Sequence, residues 1–228
     1  VVRPTALGTT LGESGPDDCT RVSVGLDFAS GAATSVDLPD GEHLLIVGGA
    51  RTGRTSALIR VATSWRAAHP AGWVAVIAPR RTNGWAGFAD SYGPDTTVLD
   101  ELPTTGRMLL LVDDAELVDD PTGRLVAFAT TRTHACVVAA GRPEALRQAY
   151  GHWTGVGRRS RTGIVLTGGS EVDGDLLSAT LPRRTPIAPR PGLAWLVVCG
   201  AVALTQLVLD QPGATCSPPR QMVGPLAH

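Results

Sequence analysis

The sequence predicts an α/β fold, a mainly parallel sheet with helices on both faces, and three observations lead there. Almost wholly apolar runs recur at 43–47, 73–78, 134–140 and 163–166, the pattern of strands buried on both sides. Segments with helical spacing lie between some of them, at 56–66 and 123–131. With 228 residues, 43% of them hydrophobic and only 18% charged, the chain can bury a sizeable core. In such a sheet a ligand belongs outside the carboxyl ends of the strands.

Taken in order, residues 1–20 are rich in Gly, Thr, Asp and Pro and read as a linker. The chain opens on Val1 rather than methionine, as expected of a piece of a longer polypeptide. Residues 21–28 and 33–38 alternate polar and apolar around a glycine-containing turn, which predicts a β-hairpin. The run His43-Leu44-Leu45-Ile46-Val47 is the first buried strand. The helix after it places Leu58, Ile59, Ala62 and Trp65 on one face and stops at Pro70-Ala71-Gly72. Strands are expected at 73–78, at a short stretch Val98-Leu99-Asp100, at 107–112, at 134–140 and at 163–166. Residues 193–209 are apolar and near the lower limit for a membrane span of ~17–25 residues. Cys199-Gly200 interrupts them between β-favouring flanks, so they read as a hairpin of two buried strands at the sheet edge. Residues 210–228, rich in Pro and Gly, read as a tail.

The chemistry concentrates in one segment. Gly48-Gly49-Ala50-Arg51-Thr52-Gly53-Arg54-Thr55 matches the phosphate-binding pattern G-x-x-x-x-G-K-[ST] except that Arg54 stands in the lysine position. In that pattern successive backbone N–H groups cradle the phosphates, the lysine reaches the β and γ phosphates, and the hydroxyl holds Mg²⁺. Residues 48–56, through Ser56, are therefore the candidate ATP-binding residues, with Thr55 as a candidate Mg²⁺ ligand. Strand, glycine turn and helix in this order bring the positive end of the helix dipole to the phosphates. The alternative is a glycine-rich turn that binds nothing. The chain contains no lysine at all, its 20 basic residues being arginine, so composition alone can account for Arg54. Arginine keeps the charge but grips phosphate as a planar fork.

About 60 residues later, the apolar strand 108–112 ends in Asp113-Asp114. An acid there helps hold Mg²⁺ in phosphate-loop ATPases, and a neighbouring acid can polarise the attacking water. Asp113 takes the metal role and Asp114, with Arg54, the catalytic one, although Asp114 is one methylene shorter than the glutamate often found in its place. An Asp pair after a strand can equally be a turn or a helix cap.

The rest of the chain excludes more than it assigns. A net charge of −1 gives no global attraction to nucleic acid. Cys19, Cys136, Cys199 and Cys216 lack metal-site spacing and read as free thiols, with Cys136 and Cys199 expected in the core. His152 and Trp153 are expected to pack between elements, since no second His or Cys ligand lies at useful spacing. Arg158, Arg159 and Arg161 read as a solvated basic loop, the alternatives being an arginine finger or a nucleic-acid backbone contact. Asp173 and Asp175 form either a turn or an acidic approach to the nucleotide.

These motifs, taken in order, resemble the FtsK/SpoIIIE family of motor ATPases. The phosphate loop with Ser56-Ala57-Leu58 is similar to that family's loop, and Leu111-Val112-Asp113-Asp114-Ala115-Glu116-Leu117 to its acidic strand. The segment 137–147, containing Ala140-Gly141-Arg142-Pro143, resembles the strand and helix that follow in the later ATPase modules of multi-module members. Residues 150–166, Asp173-Gly174-Asp175-Leu176-Leu177, Leu181-Pro182-Arg183-Arg184 and the hairpin with Gln206 continue the likeness, which spans about residues 21–209. The resemblance implies a RecA-like P-loop NTPase using ATP and Mg²⁺. It is nearest to a later, degenerate module of the EccC-like type VII secretion ATPases of actinobacteria. It implies neighbouring ATPase modules or a hexameric homo-oligomer as partners, and a secreted protein or double-stranded DNA as substrate. The place implied is the cytoplasm at the inner face of the membrane, with any anchor in segments upstream. Two functions stay open: an ATP-hydrolysing motor module, or a nucleotide-binding module that hydrolyses little and serves in docking.

Overall fold

The computed structural model describes residues 18–80, 85–167 and 171–208; the expected tail and nearly all of the expected linker lie outside them. Ten strands form one sheet: β1 (Cys19–Asp27), β2 (Ala33–Pro39), β3 (Leu44–Val47), β4 (Trp73–Ile77), β5 (Ser91–Gly93), β6 (Met108–Val112), β7 (Ala135–Gly141), β8 (Thr162–Leu166), β9 (Leu193–Val198) and β10 (Ala201–Leu207). Their order across the sheet is β2-β1-β10-β9-β8-β3-β7-β6-β4-β5. The six strands from β8 to β5 are mutually parallel, and β9, β10, β1 and β2 extend the sheet antiparallel. This mostly parallel sheet with helices is the RecA-like P-loop architecture that the resemblance implied.

The helices are α1 (Arg54–Ala68), α2 (Arg124–Thr131), α3 (Pro143–Gln148) and α4 (Gly155–Arg159). The parallel strands look uniformly apolar in sequence because both of their faces are covered. Leu44, Ile46, Leu109 and Leu111 join the cluster under α1, whereas Leu45, Val47, Leu110 and Val112 join the cluster on the other face with α2. Helix α1 buries Ala57, Leu58, Val61, Ala62 and Trp65, while the predicted Ile59 is only half-buried. Burying one such aliphatic side chain contributes roughly 1.5–3 kcal/mol. Two polar residues also face inward from α1. The register slips between Ser23 and Gly25 of β1, the Ser64 hydroxyl accepts from the Ser23 N–H (2.8 Å), and Arg60 donates to the Ser23 carbonyl (3.0 Å). The irregular strand therefore keeps its backbone groups satisfied under the helix.

Four expectations are corrected. Residues 98–100 are not a strand but part of a 3-10 helix, Thr96–Glu101, because the Asp95 carboxylate accepts from the Thr97 N–H and hydroxyl (2.9 and 2.6 Å) and turns the chain. The short strand between β4 and β6 in the chain is instead β5. The 193–209 hairpin forms, yet inside the sheet: β9 pairs with β8 and β10 with β1, so the edges are β2 and β5. No helix among the described residues is long and apolar enough to cross a membrane. Cys19 and Thr20, placed in the linker, already belong to β1.

Cys199 is exposed rather than core, since Cys199 and Gly200 (φ 49 and 87) are the two turn residues between Val198 and Ala201. Cys136 is buried, and that burial pushes its thiol up to about 12. Thiolate is the reactive form. Maleimide is therefore expected to label Cys199 of the folded protein and spare Cys136 until unfolding, read by peptide mass spectrometry. Prompt labelling of Cys136 would contradict the packing of β7.

Candidate functional site

Strand β3 is the point where the sheet reverses its connections. The chain leaves β3 through α1 to β4, beyond β7 and β6, whereas β7 returns through α3 and α4 to β8 on the opposite side of β3. Such a switch opens a crevice at the carboxyl ends of the strands. The loop 48–53 fills it, and the Gly48 N–H is held by the Gly141 carbonyl at the end of β7 (3.2 Å).

Gly53 precedes α1 with φ 107, a left-handed conformation open to glycine at little cost. Arg51 (φ 62) is left-handed without that freedom, so the loop carries some strain. Thr52 closes the loop by donating its hydroxyl to the Gly49 carbonyl (3.0 Å), while Ala50 and Arg51 are exposed at the tip. No side chain caps α1 and its first turn holds no acid. Its leading N–H groups and positive dipole end thus face the loop, as an anion requires. Ser56 lies half-buried in that first turn.

Both predicted acids reach this loop from 58 and 60 residues away. The Thr55 hydroxyl donates to Asp113 Oδ2 (2.7 Å), which joins the two candidate Mg²⁺ ligands directly. Asp113 is 4% exposed, and burial raises its pKa above the ordinary carboxylate value. The charge of Asp114 adds to that rise; the Thr55 hydroxyl, the Asp114 N–H and Arg54 oppose it. A divalent cation beside Asp113 and Thr55 would favour the ionised carboxylate. These two oxygens suit a hard cation that also takes water and phosphate ligands.

Arg54 folds back across the loop. Its guanidinium donates to the Gly48 carbonyl (3.0 Å) and to Asp114 Oδ1 (2.7 Å), and the two side chains of the ion pair are only 11% and 12% exposed. Asp114 itself adopts φ 50, a left-handed turn that Asp tolerates better than most residues. The two candidate catalytic residues thus engage each other in an ion pair.

The other residues singled out lie elsewhere. Asp173 is buried in a 3-10 helix, Glu171–Leu177, and pairs with Arg147; the neighbouring Asp175 is exposed. His152 Nε2 (3.2 Å) and Trp153 Nε1 (2.8 Å) both meet the Val118 carbonyl, packing between elements as expected. Arg158 and Arg159 end α4 rather than forming a loop. Arg158 is half-buried, bonds to the Leu146 carbonyl, and has its pKa lowered by burial. Arg159 and Arg161 are exposed. Sequence reading passed over Glu116 as a site residue. Its carboxylate accepts from the Arg142 N–H just beyond β7 (3.2 Å) and braces the crevice. Its place three residues after Asp113 was the available signal.

No protein-family model matches the chain, and no curated protein does. Solved structures do match. EssC (ATPases 2 and 3) from Geobacillus thermodenitrificans superposes with TM-score 0.65 at 18% identity, covering 83% of this chain and 41% of that one. Thermomonospora curvata EccC (ATPases 2 and 3), in complex with a signal sequence peptide, gives 0.64 at 16% identity, covering 87% and 42%. The pCW3 conjugation coupling protein TcpA with ATPγS gives 0.50 at 10% identity, covering 83% and 66%. The chain spans about two fifths of the first two. At these identities the likeness is one of fold, and the fold is that of the matched ATPase domains of EssC and EccC.

Proposed function

We propose that the chain is a Mg-ATP-binding module of an FtsK/SpoIIIE-like translocase, one of several tandem modules, whose own hydrolysis is held low by the Arg54–Asp114 pair. The observation that carries this is the arrangement of Thr55 and Asp113 at 2.7 Å beneath an uncapped helix start, at the switch point of the sheet. The low turnover follows from the ion pair. Asp114 can orient water only with a free oxygen, and Arg54 can stabilise the γ-phosphate only by leaving Asp114. The bound species are ATP and Mg²⁺, held by residues 48–56 and Asp113, in a domain that runs from residue 21 to 209. The partners are neighbouring modules of the same protein or a ring of copies, at the cytoplasmic face of the membrane.

Of the two substrates, a secreted protein is favoured over double-stranded DNA. The chain is slightly acidic overall, so it offers no general attraction to DNA. A cavity of 380 Å³ lined by Val126, Trp153, Val156 and the exposed Arg159, with Tyr150 almost fully exposed at 96%, suits an apolar peptide segment bearing an acid.

Calorimetric titration with Mg-ATP and Mg-ADP, with steady-state phosphate release, tests the reading. Wild type is expected to bind both nucleotides and turn over at background. Arg54→Lys is expected to raise turnover, because the compact ammonium restores a phosphate contact and loosens the hold on Asp114. Absence of binding heat at millimolar nucleotide sinks the proposal. Binding with unchanged turnover in Arg54→Lys, measured in the full-length protein, leaves a docking module.

A further inference from the structure

One turn beside the loop has a role that the phosphate chemistry does not use. Arg190-Pro191-Gly192 leads into β9, whose antiparallel direction puts its start at the carboxyl ends of β8 and β3. The Leu193 N–H bonds to the Arg190 carbonyl (3.0 Å), and Gly192 has φ 78, which is what a Pro-Gly type II turn demands. Thr167 at the end of β8 ties the turn down, its N–H and hydroxyl both donating to the Leu193 carbonyl (2.8 and 2.9 Å). A Cβ placed on Gly53 would lie 4.0 Å from the Gly192 nitrogen, so the turn abuts the start of α1.

Gln206 on β10 reaches this turn with both ends of its amide. Its Oε1 accepts from Arg190 Nε (2.7 Å), and its Nε2 donates to the carbonyls of Pro191 (3.2 Å) and Leu207 (3.3 Å). Arg190 and Pro191 are nevertheless exposed, and no carboxylate among the described residues pairs with Arg190. Other arginines do have such partners, Arg21 with Asp37 and Arg66 with Asp90 among them. An exposed cation and ring held by a dedicated side chain form a preorganised contact surface.

The direction of a nucleotide in the crevice follows from the acids. Asp113 and Asp114 follow β6, so the metal and the terminal phosphate lie on the β7–β6 side of the loop. The nucleoside must then leave on the opposite side, over β8 and β9, where the turn sits. We infer that the turn Arg190-Pro191-Gly192, with Gln206 as its positioning residue, is the surface on which the nucleobase packs, against the Arg190 guanidinium plane and the Pro191 ring. This rests on the Mg-nucleotide reading of the loop and adds its base-contacting residues. Stacking on an arginine plane tolerates every base, so ATP and GTP are expected to bind alike.

The test compares Mg-ATP with Mg-tripolyphosphate, which carries the phosphates without a nucleoside, by calorimetry on wild type, Arg190→Ala and Gln206→Leu. Both variants are expected to lose about tenfold in ATP affinity and to bind tripolyphosphate as wild type does. Unchanged ATP affinity in Arg190→Ala, whose exposed side chain has no part in the core, overturns the inference. So does an equal loss for both probes, or a wild type that binds the two equally. A wild type that binds neither probe fails the nucleotide reading itself and the inference with it.

Discussion

Arg54→Ala is expected to lower the stability of the domain by about 3 kcal/mol, because it leaves Asp114 as a nearly buried charge without its partner. Buried ion pairs add little net stability when complete, yet removing one member is costly, since the desolvated partner stays behind. The Gly48 carbonyl loses its arginine donor in the same step. For a domain of this size such a loss corresponds to a melting point lower by roughly 6–12 °C. Asp114→Asn is expected to cost less, because the amide oxygen still accepts from Arg54 and the guanidinium keeps its bond to Gly48. The double variant Arg54→Ala with Asp114→Asn is expected to recover much of the loss, as directly coupled residues do not add. Thermal melts of the four proteins make the check. A simple sum of the two single effects would mean the pair is not coupled as its 2.7 Å contact indicates.

Asp113→Asn is expected to act on nucleotide binding and on apo stability in opposite directions. The metal would lose the carboxylate held against Thr55; even the loss of an outer-shell partner costs about 10–100-fold in metal affinity, and a direct ligand is expected to cost at least as much. Mg-ATP affinity should fall by that order, with affinity for ATP in the presence of chelator unchanged. Without ligand the substitution should instead raise the melting temperature near neutral pH. Burial raises the pKa of Asp113 in the folded state, so the fold binds its proton more readily than the unfolded chain does. Its contribution to stability is therefore fully present below the ordinary carboxylate value and is lost as pH rises through the raised one. The amide mimics the protonated form and removes that loss. Titrations with and without Mg²⁺, and melts across pH 3–8, read both effects. A melting temperature below wild type at neutral pH would show that the ionised carboxylate stabilises the fold.

The same two acids mark how far local sequence could place side chains beside the loop. The loop 48–55 was legible because its spacing encodes local geometry. A strand that must end, a glycine with φ 107 and a helix start without a cap follow one another within about ten residues, each set by its neighbours. Asp113 was legible because it ends an apolar run whose length suits a strand buried on both faces. The hairpin 193–209 was read as β structure for a related reason, the Cys199-Gly200 break between β-favouring flanks.

Other features depended on which surfaces the sheet brings together. The hairpin was expected at an edge, but β1 pairs with β10 and encloses it, a choice that rests on matching faces of strands about 180 residues apart. Residues 98–100 have the composition of a strand, yet a local carboxylate turns them into a 3-10 helix, and β5 takes the open edge beside β4. Cys199 sits among apolar neighbours in sequence but at a turn in space. The partner of Arg54 lies 60 residues away across the crevice, and no local rule states whether a loop arginine faces phosphate or an acid. Local spacing fixed the strand, loop and helix that place these side chains, because backbone geometry is decided by near neighbours. Whether that chemistry is free to act was decided only by the packed sheet, because ion pairs and strand order depend on distant residues sharing one buried space.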